Sequence, residues 1–260
     1  MTCSNDHNGI DLNHARAAMK EFLGHYQNEN DPGFEMKTVH TYRTADLARE
    51  IAEREGFVQE DCDLAVLIAL LHDVGRFEEL KIRRTFNSAA FDHASHGVKM
   101  LREGLLREFV DTEEYDDVIL DAISVHSLYS VPDIADEKTR RHALVLRDAD
   151  KLDNFRSRAH EPVNRMFGSL FQDDSEMADS KISEAVMESL RHKQCVRVTD
   201  RKTPLDYYVT VLGFWFDLTY ESSKQIAAEN GWIETMVSRF AYTDPLTKQQ
   251  MNEILQLIKE

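Results

Sequence analysis

The sequence is poor in the residues that punctuate β-structure, with only 10 glycines and 5 prolines in 260 residues. So few turn-formers argue against a fold of many short strands and favour helices. Cysteine is scarce too. Cys3, Cys62 and Cys195 are far apart, odd in number and without CxxC spacing. That pattern argues against a disulfide framework and a thiolate zinc site, and it fits a reducing cytoplasm. Positive charge is in deficit: 31 Lys and Arg face 47 Asp and Glu, a net charge of −16. An acidic surface repels a phosphate backbone, so nucleic acid is not an expected partner. A small phosphorylated substrate remains open, because a local cation cluster or a metal overrides the global field at short range. Long apolar runs are missing as well. The stretch from Leu64 to Leu71 is too short to span a bilayer, and the first twenty residues hold no apolar signal core. A cytoplasmic protein with no membrane partner is therefore expected.

What is present is helical patterning. Apolar residues make up 42% of the chain and charged residues 30%, a globular balance. Residues 11–28 place Ala15, Met19, Phe22 and Leu23 on one helical face. After a loop at Asn28 to Gly33, a second helix is expected over about 35–54, carrying His40 and Arg43. Residues 61–74 are apolar nearly all round, which predicts a central, buried helix ending in His72-Asp73-Val74-Gly75. Residues 77–91 read as irregular and basic, with Lys81, Arg83 and Arg84 as a patch. Helices are expected over 93–107, 115–128, 138–157 and 246–259, and Asp173-Asp174-Ser175 reads as a helix cap within a mixed stretch at 161–180. The aromatic residues Tyr207, Tyr208, Phe214, Trp215, Phe216 and Tyr220 suit a core, with nucleobase stacking as the other use. No linker interrupts the chain, so the tail from residue 161 to 260 reads as a helical extension of the same domain.

Chemistry gathers where histidines and aspartates fall on apolar stripes: His40, His72-Asp73, His93 or His96, His126, and Asp148 or Asp150. Burying an aspartate is costly unless it is paired or metal-bound. A lone histidine on a core face is usually a hydrogen-bonded structural one, but five such places on consecutive helices are explained together by a divalent ion with a mixed nitrogen and oxygen shell.

The segment LAVLIALLHDVGRFEEL, with His40-Thr41-Tyr42-Arg43 before it and FDHASHG and LRDADKLDNF after it, resembles the HD superfamily of metal-dependent phosphohydrolases. The resemblance spans roughly residues 36–156. It implies an all-α, multi-helix HD-domain fold, with a core at 35–160 and residues 1–34 adding a helix that packs on it. It also implies a metal shell of His40, His72, Asp73 and Asp150. The family pattern of Ala-Asp, one residue, then Leu selects Asp150, leaving Asp148 and His96 behind the ligands. His93 and His126 match positions that bind either a second ion or substrate phosphate. Arg76 takes the place of a family lysine, and its guanidinium suits a phosphate oxygen. Arg43 is expected to bind substrate or orient Asp73, and Lys151 to bind substrate. Glu78 and Glu79 have no assigned role.

The implied reaction is attack of metal-activated water on a phosphate ester or anhydride of a small, nucleotide-like molecule, with Asp73 taking the water's proton and Arg76 steadying phosphoryl charge. The ligand set suits Mn, Fe, Co, Ni or Mg, one ion or two. Two alternatives stand beside hydrolysis: a di-iron HD-type oxygenase, and a non-catalytic sensor or binding module. A homodimer built through the aromatic tail is compatible with the sequence.

Overall fold

The computed structural model describes residues 9–26, 32–83, 91–168 and 170–260 of the chain. Among the described residues there are fourteen α-helices and no strand, so the fold is all-α. No helix among them is long and apolar enough to cross a membrane. Backbone contacts divide the chain into two compact units, Met1–Ala149 and Asp150–Glu260.

The first unit is built from α1 (Leu12–Gly24), α2 (Pro32–Arg54), α3 (Gln59–Leu71), α4 (Val74–Arg83), α5 (His93–Arg102), α6 (Asp116–Val125) and the first half of α7 (Glu137–His160). Helix α3 is its centre. Every residue from Leu64 to Leu71 is buried, and α3 packs on α2, α1 and α6. A helix apolar on all sides has no face to give to water, so it folds only when surrounded. The Asp11 side chain caps α1 by accepting from the backbone N–H groups of Asn13 and His14. The buried face of α1 is Ala15, Met19, Phe22 and Leu23, as its periodicity predicts. Its Phe22 and Tyr26 pack edge-on or tilted against Phe77.

Two elements depart from the sequence-based expectation. Residues 74–83, expected mostly as irregular chain, form α4, because Phe77 and Leu80 are one turn apart and both buried. Lys81 and Arg83 lie over the rings of Tyr26 and Phe91, while Arg84 lies outside the described residues. Helix α5 stops at Arg102 rather than 107, since Gly104 adopts φ 124° and Leu105–Glu108 continues as a 3-10 turn.

The second unit contains the rest of α7 and then α8 (Val163–Phe167), α9 (Asp174–Ala178), α10 (Glu184–Arg191), α11 (Pro204–Val209), α12 (Glu221–Glu229), α13 (Trp232–Ser238) and α14 (Pro245–Lys259). Asp173 caps α9 as expected, and Thr203 with Asp206 forms a reciprocal capping box on α11. Buried Asp206 also accepts from the backbone N–H and hydroxyl of Ser183, tying α11 to the start of α10. In the aromatic run, Tyr208 is wholly buried and donates to the Met236 carbonyl. Phe214, Trp215 and Phe216 are half-buried.

Candidate metal centre

His72 and Asp73 sit in the turn between α3 and α4, where the chain leaves the apolar helix. The turn is closed by the Arg76 N–H donating to the Asp73 carbonyl at 2.8 Å. The first turn of α4 then runs against α5 with almost no room. A Cβ on Gly75 would collide with the His93 carbonyl oxygen and come within 2.7 Å of the Gly97 nitrogen. Two glycines thus let the helix backbones touch, which brings His93, the first residue of α5, onto Asp73.

Asp73 is the hub. One carboxylate oxygen faces His72 Nε2 at 3.4 Å and His40 Nε2 at 3.7 Å. The other faces His93 Nε2 at 3.6 Å and His126 Nε2 at 3.9 Å. Two ligand groups result, His40–His72–Asp73 and Asp73–His93–His126, each with donor atoms within 4.8 Å of one another. His93 and His126 place their Nε2 atoms 3.2 Å apart. All five side chains are buried.

The rings of His72 and His126 are fixed in the same way. Each follows the last turn of its helix, and each Nδ1 lies against the carbonyl three residues back: Ala69 at 2.6 Å and Ile123 at 2.7 Å. A carbonyl only accepts, so Nδ1 carries the proton, and in the neutral ring Nε2 presents a lone pair. His72 Nε2 is buried without a hydrogen-bond partner beside a carboxylate oxygen. Two electron-rich atoms facing each other this way fit a cation between them. Arg147 supports His126 from behind, donating to the carbonyls of Val125, His126 and Leu128 at the end of α6.

Charge in the site is balanced by residues that sequence reasoning passed over. Lys37 Nζ lies 2.7 Å from Asp73, one helical turn before His40. Burial pushes the Asp73 carboxyl up, but the Lys37 ammonium, followed by His72 and His93, outweighs it and holds the group well below the usual carboxylate range. His93 is driven down to about 2, first by burial; Asp73 opposes this, while Arg76, His126 and Lys37 add to it. Glu79 is wholly buried and takes Arg76 Nη1 at 2.7 Å, so the guanidinium is held from outside the ligand shell. Glu78 instead accepts from the Tyr26 hydroxyl. Spacing on α2 and α4 held the signal for Lys37 and Glu79, one turn from His40 and from Arg76.

Arg43 is exposed, and the cation on Asp73 is Lys37 instead: α2 turns the residue one turn before His40, not the one after it, toward the carboxylate. His96 is half-buried against the Phe91 ring. Asp148 is wholly buried. Asp150 is half-buried, and its carboxylate accepts from Asn154 Nδ2 at 3.1 Å. Neither aspartate belongs to the two ligand groups. Lys151 is buried and paired with Asp217 at 2.8 Å.

Residues 38–155 match the family model of the HD domain. That stretch contains all five side chains of the two ligand groups. No curated protein and no solved structure matches the chain.

Proposed function

We propose, from the premise that this chain belongs to the HD superfamily, that it is a metal-dependent phosphohydrolase acting on a phosphate ester or anhydride of a small, nucleotide-like molecule. The observation that carries this reading is Asp73, a buried carboxylate with imidazole nitrogens facing both oxygens. A divalent ion bound there supplies Lewis acidity toward water and a phosphoryl oxygen.

The chain's own residues do the rest. His40, His72 and Asp73 would hold the ion, with Asp150 added on the family pattern alone. Asp73 would accept a proton from attacking water. Lys37 and Arg76 are the cations beside it, and both can donate to phosphoryl oxygens as negative charge grows there. Glu79 keeps the Arg76 fork from swinging away. Burial of the histidines excludes bulk water, which strengthens each of these interactions. Lys151 is retained as a substrate contact only if substrate displaces Asp217. Cysteine usage favours a cytoplasmic setting.

One observation supports a second reading. The group Asp73–His93–His126 shares its carboxylate with the first, which suits two ions and oxygen chemistry as in di-iron HD proteins. Phosphate release from a panel of nucleotides and phosphoesters, with Mn, Co, Ni or Mg added, separates the two. Metal-dependent release that vanishes in His72→Ala is the expected result. Silence from metal-loaded wild-type protein, with oxygen consumption in its iron form, would replace the hydrolase with the oxygenase.

A further inference from the structure

In a chain with 47 acidic residues and 31 basic ones, an arginine without an acid partner is out of place. Among the described residues of the second unit, Arg158 and Arg201 are such arginines. Its other arginines near the end of α7 are satisfied: Arg156 pairs with Asp153 and Glu161, Arg165 with Glu161, and Arg239 donates to the Arg158 carbonyl. Arg158 and Arg201 have no carboxylate within ion-pair reach among the described residues. Each has a fully enclosed Nε with no hydrogen-bond partner.

Both guanidiniums instead face aromatic rings. Arg158 lies 4.6 Å from the Phe167 ring centre and Arg201 lies 5.5 Å from that of Tyr207. Phe171 joins the two, at 5.3 Å from Phe167 and 5.5 Å from Tyr207. A continuous aromatic wall thus has a cation at each end. Burial, with Arg201 and Arg239 nearby, lowers Arg158 to about 10, so the cluster is short of negative charge. Enclosed donors normally find an acceptor, and rings supply none in the plane of a guanidinium.

We infer that Arg158 and Arg201 form a binding site for a phosphate-class anion, walled by Phe167, Phe171 and Tyr207, and made of none of the residues of the histidine–aspartate centre. The planar fork of arginine matches phosphate oxygens in pairs. The anion supplies the missing acceptors, and the rings keep water from competing for them.

Isothermal titration of the full chain with inorganic phosphate, under chelator so that no metal contributes, tests this. Thermal melts with and without phosphate accompany it. Wild-type protein should bind one phosphate and melt at a higher temperature with it. Arg158→Met and Arg201→Met should each weaken binding by about tenfold or more. In phosphate-free buffer both should melt at or above the wild-type temperature, because each removes an unmatched buried charge. Absence of binding by wild type at millimolar phosphate would overturn the site, as would unchanged binding in both variants. If Arg158→Met fails to fold, Arg201→Met decides alone. Because the assay is metal-free, its outcome is independent of whether the chain hydrolyses phosphoesters.

Discussion

At the scale of single residues, the centre turns on how few atoms share it. Asp73→Asn keeps the shape but removes the negative charge and replaces one ligand oxygen by an NH2 donor, so metal content measured by elemental analysis should collapse, and phosphate release with it. Glu79→Gln should retain metal yet lower kcat/KM by roughly 10-fold, the size of effect seen when a supporting hydrogen bond behind a functional group is weakened. Loss of metal in that variant would mean that Glu79 holds the shell rather than Arg76. His93 adds a pH effect. Its folded pKa, about 2, is below the ordinary 6.5, so the unfolded chain binds the extra proton between those values. Stability of the metal-free protein should therefore fall as pH drops below 6.5. Urea melts of His93→Gln at pH 7 and pH 5 should show a shallower fall than wild type; an identical fall would remove His93 from the account.

At the scale of helices, much was legible beforehand because each carries its own evidence. The buried stripes of α1, α3 and α6 follow from apolar spacing, and α9 begins at the aspartate that caps it. What was missed depends on neighbours. Whether 77–83 is coil or helix is decided by Phe77 finding the Phe22 ring of α1 and by Leu80 being buried with it, which no local pattern shows. The same holds for the site. His40, His72, Asp73, His93 and His126 were recognisable as residue types on apolar stripes, and they converge. Lys37 and Glu79 were not, since a lysine or glutamate one turn from a ligand is usually a solvated side chain. The crossing of α4 and α5 gives a sharp test. Gly75→Ala drives a methyl into backbone and should cost roughly 3 kcal/mol. Gly97→Ala meets its nearest atoms at 3.3 and 3.4 Å and should cost about 1 kcal/mol or less. Equal melting temperatures for the two variants would show that the helices slide apart freely.

At the scale of the whole molecule, net charge sets the approach of substrate. With −16 charges on the chain, a phosphorylated substrate meets repulsion before it meets Lys37 and Arg76. Raising salt from about 0.02 to 0.2 M shortens the screening length roughly threefold, so KM should fall with added salt. A rise would show that local cations govern capture from a distance. Chelation should lower the melting temperature of wild-type protein, because an ion bound at 100 times its Kd contributes about 2.7 kcal/mol.

The carbonyl contacts behind His72 and His126 reach further than ring orientation. A ring whose Nδ1 is held by a carbonyl offers a ligand Nε2 alone, so its two nitrogens are not interchangeable. Metal loading should then shift the Nε2 and not the Nδ1 nitrogen-15 resonance of each ring, and a shift at Nδ1 would show that the carbonyls let the rings turn.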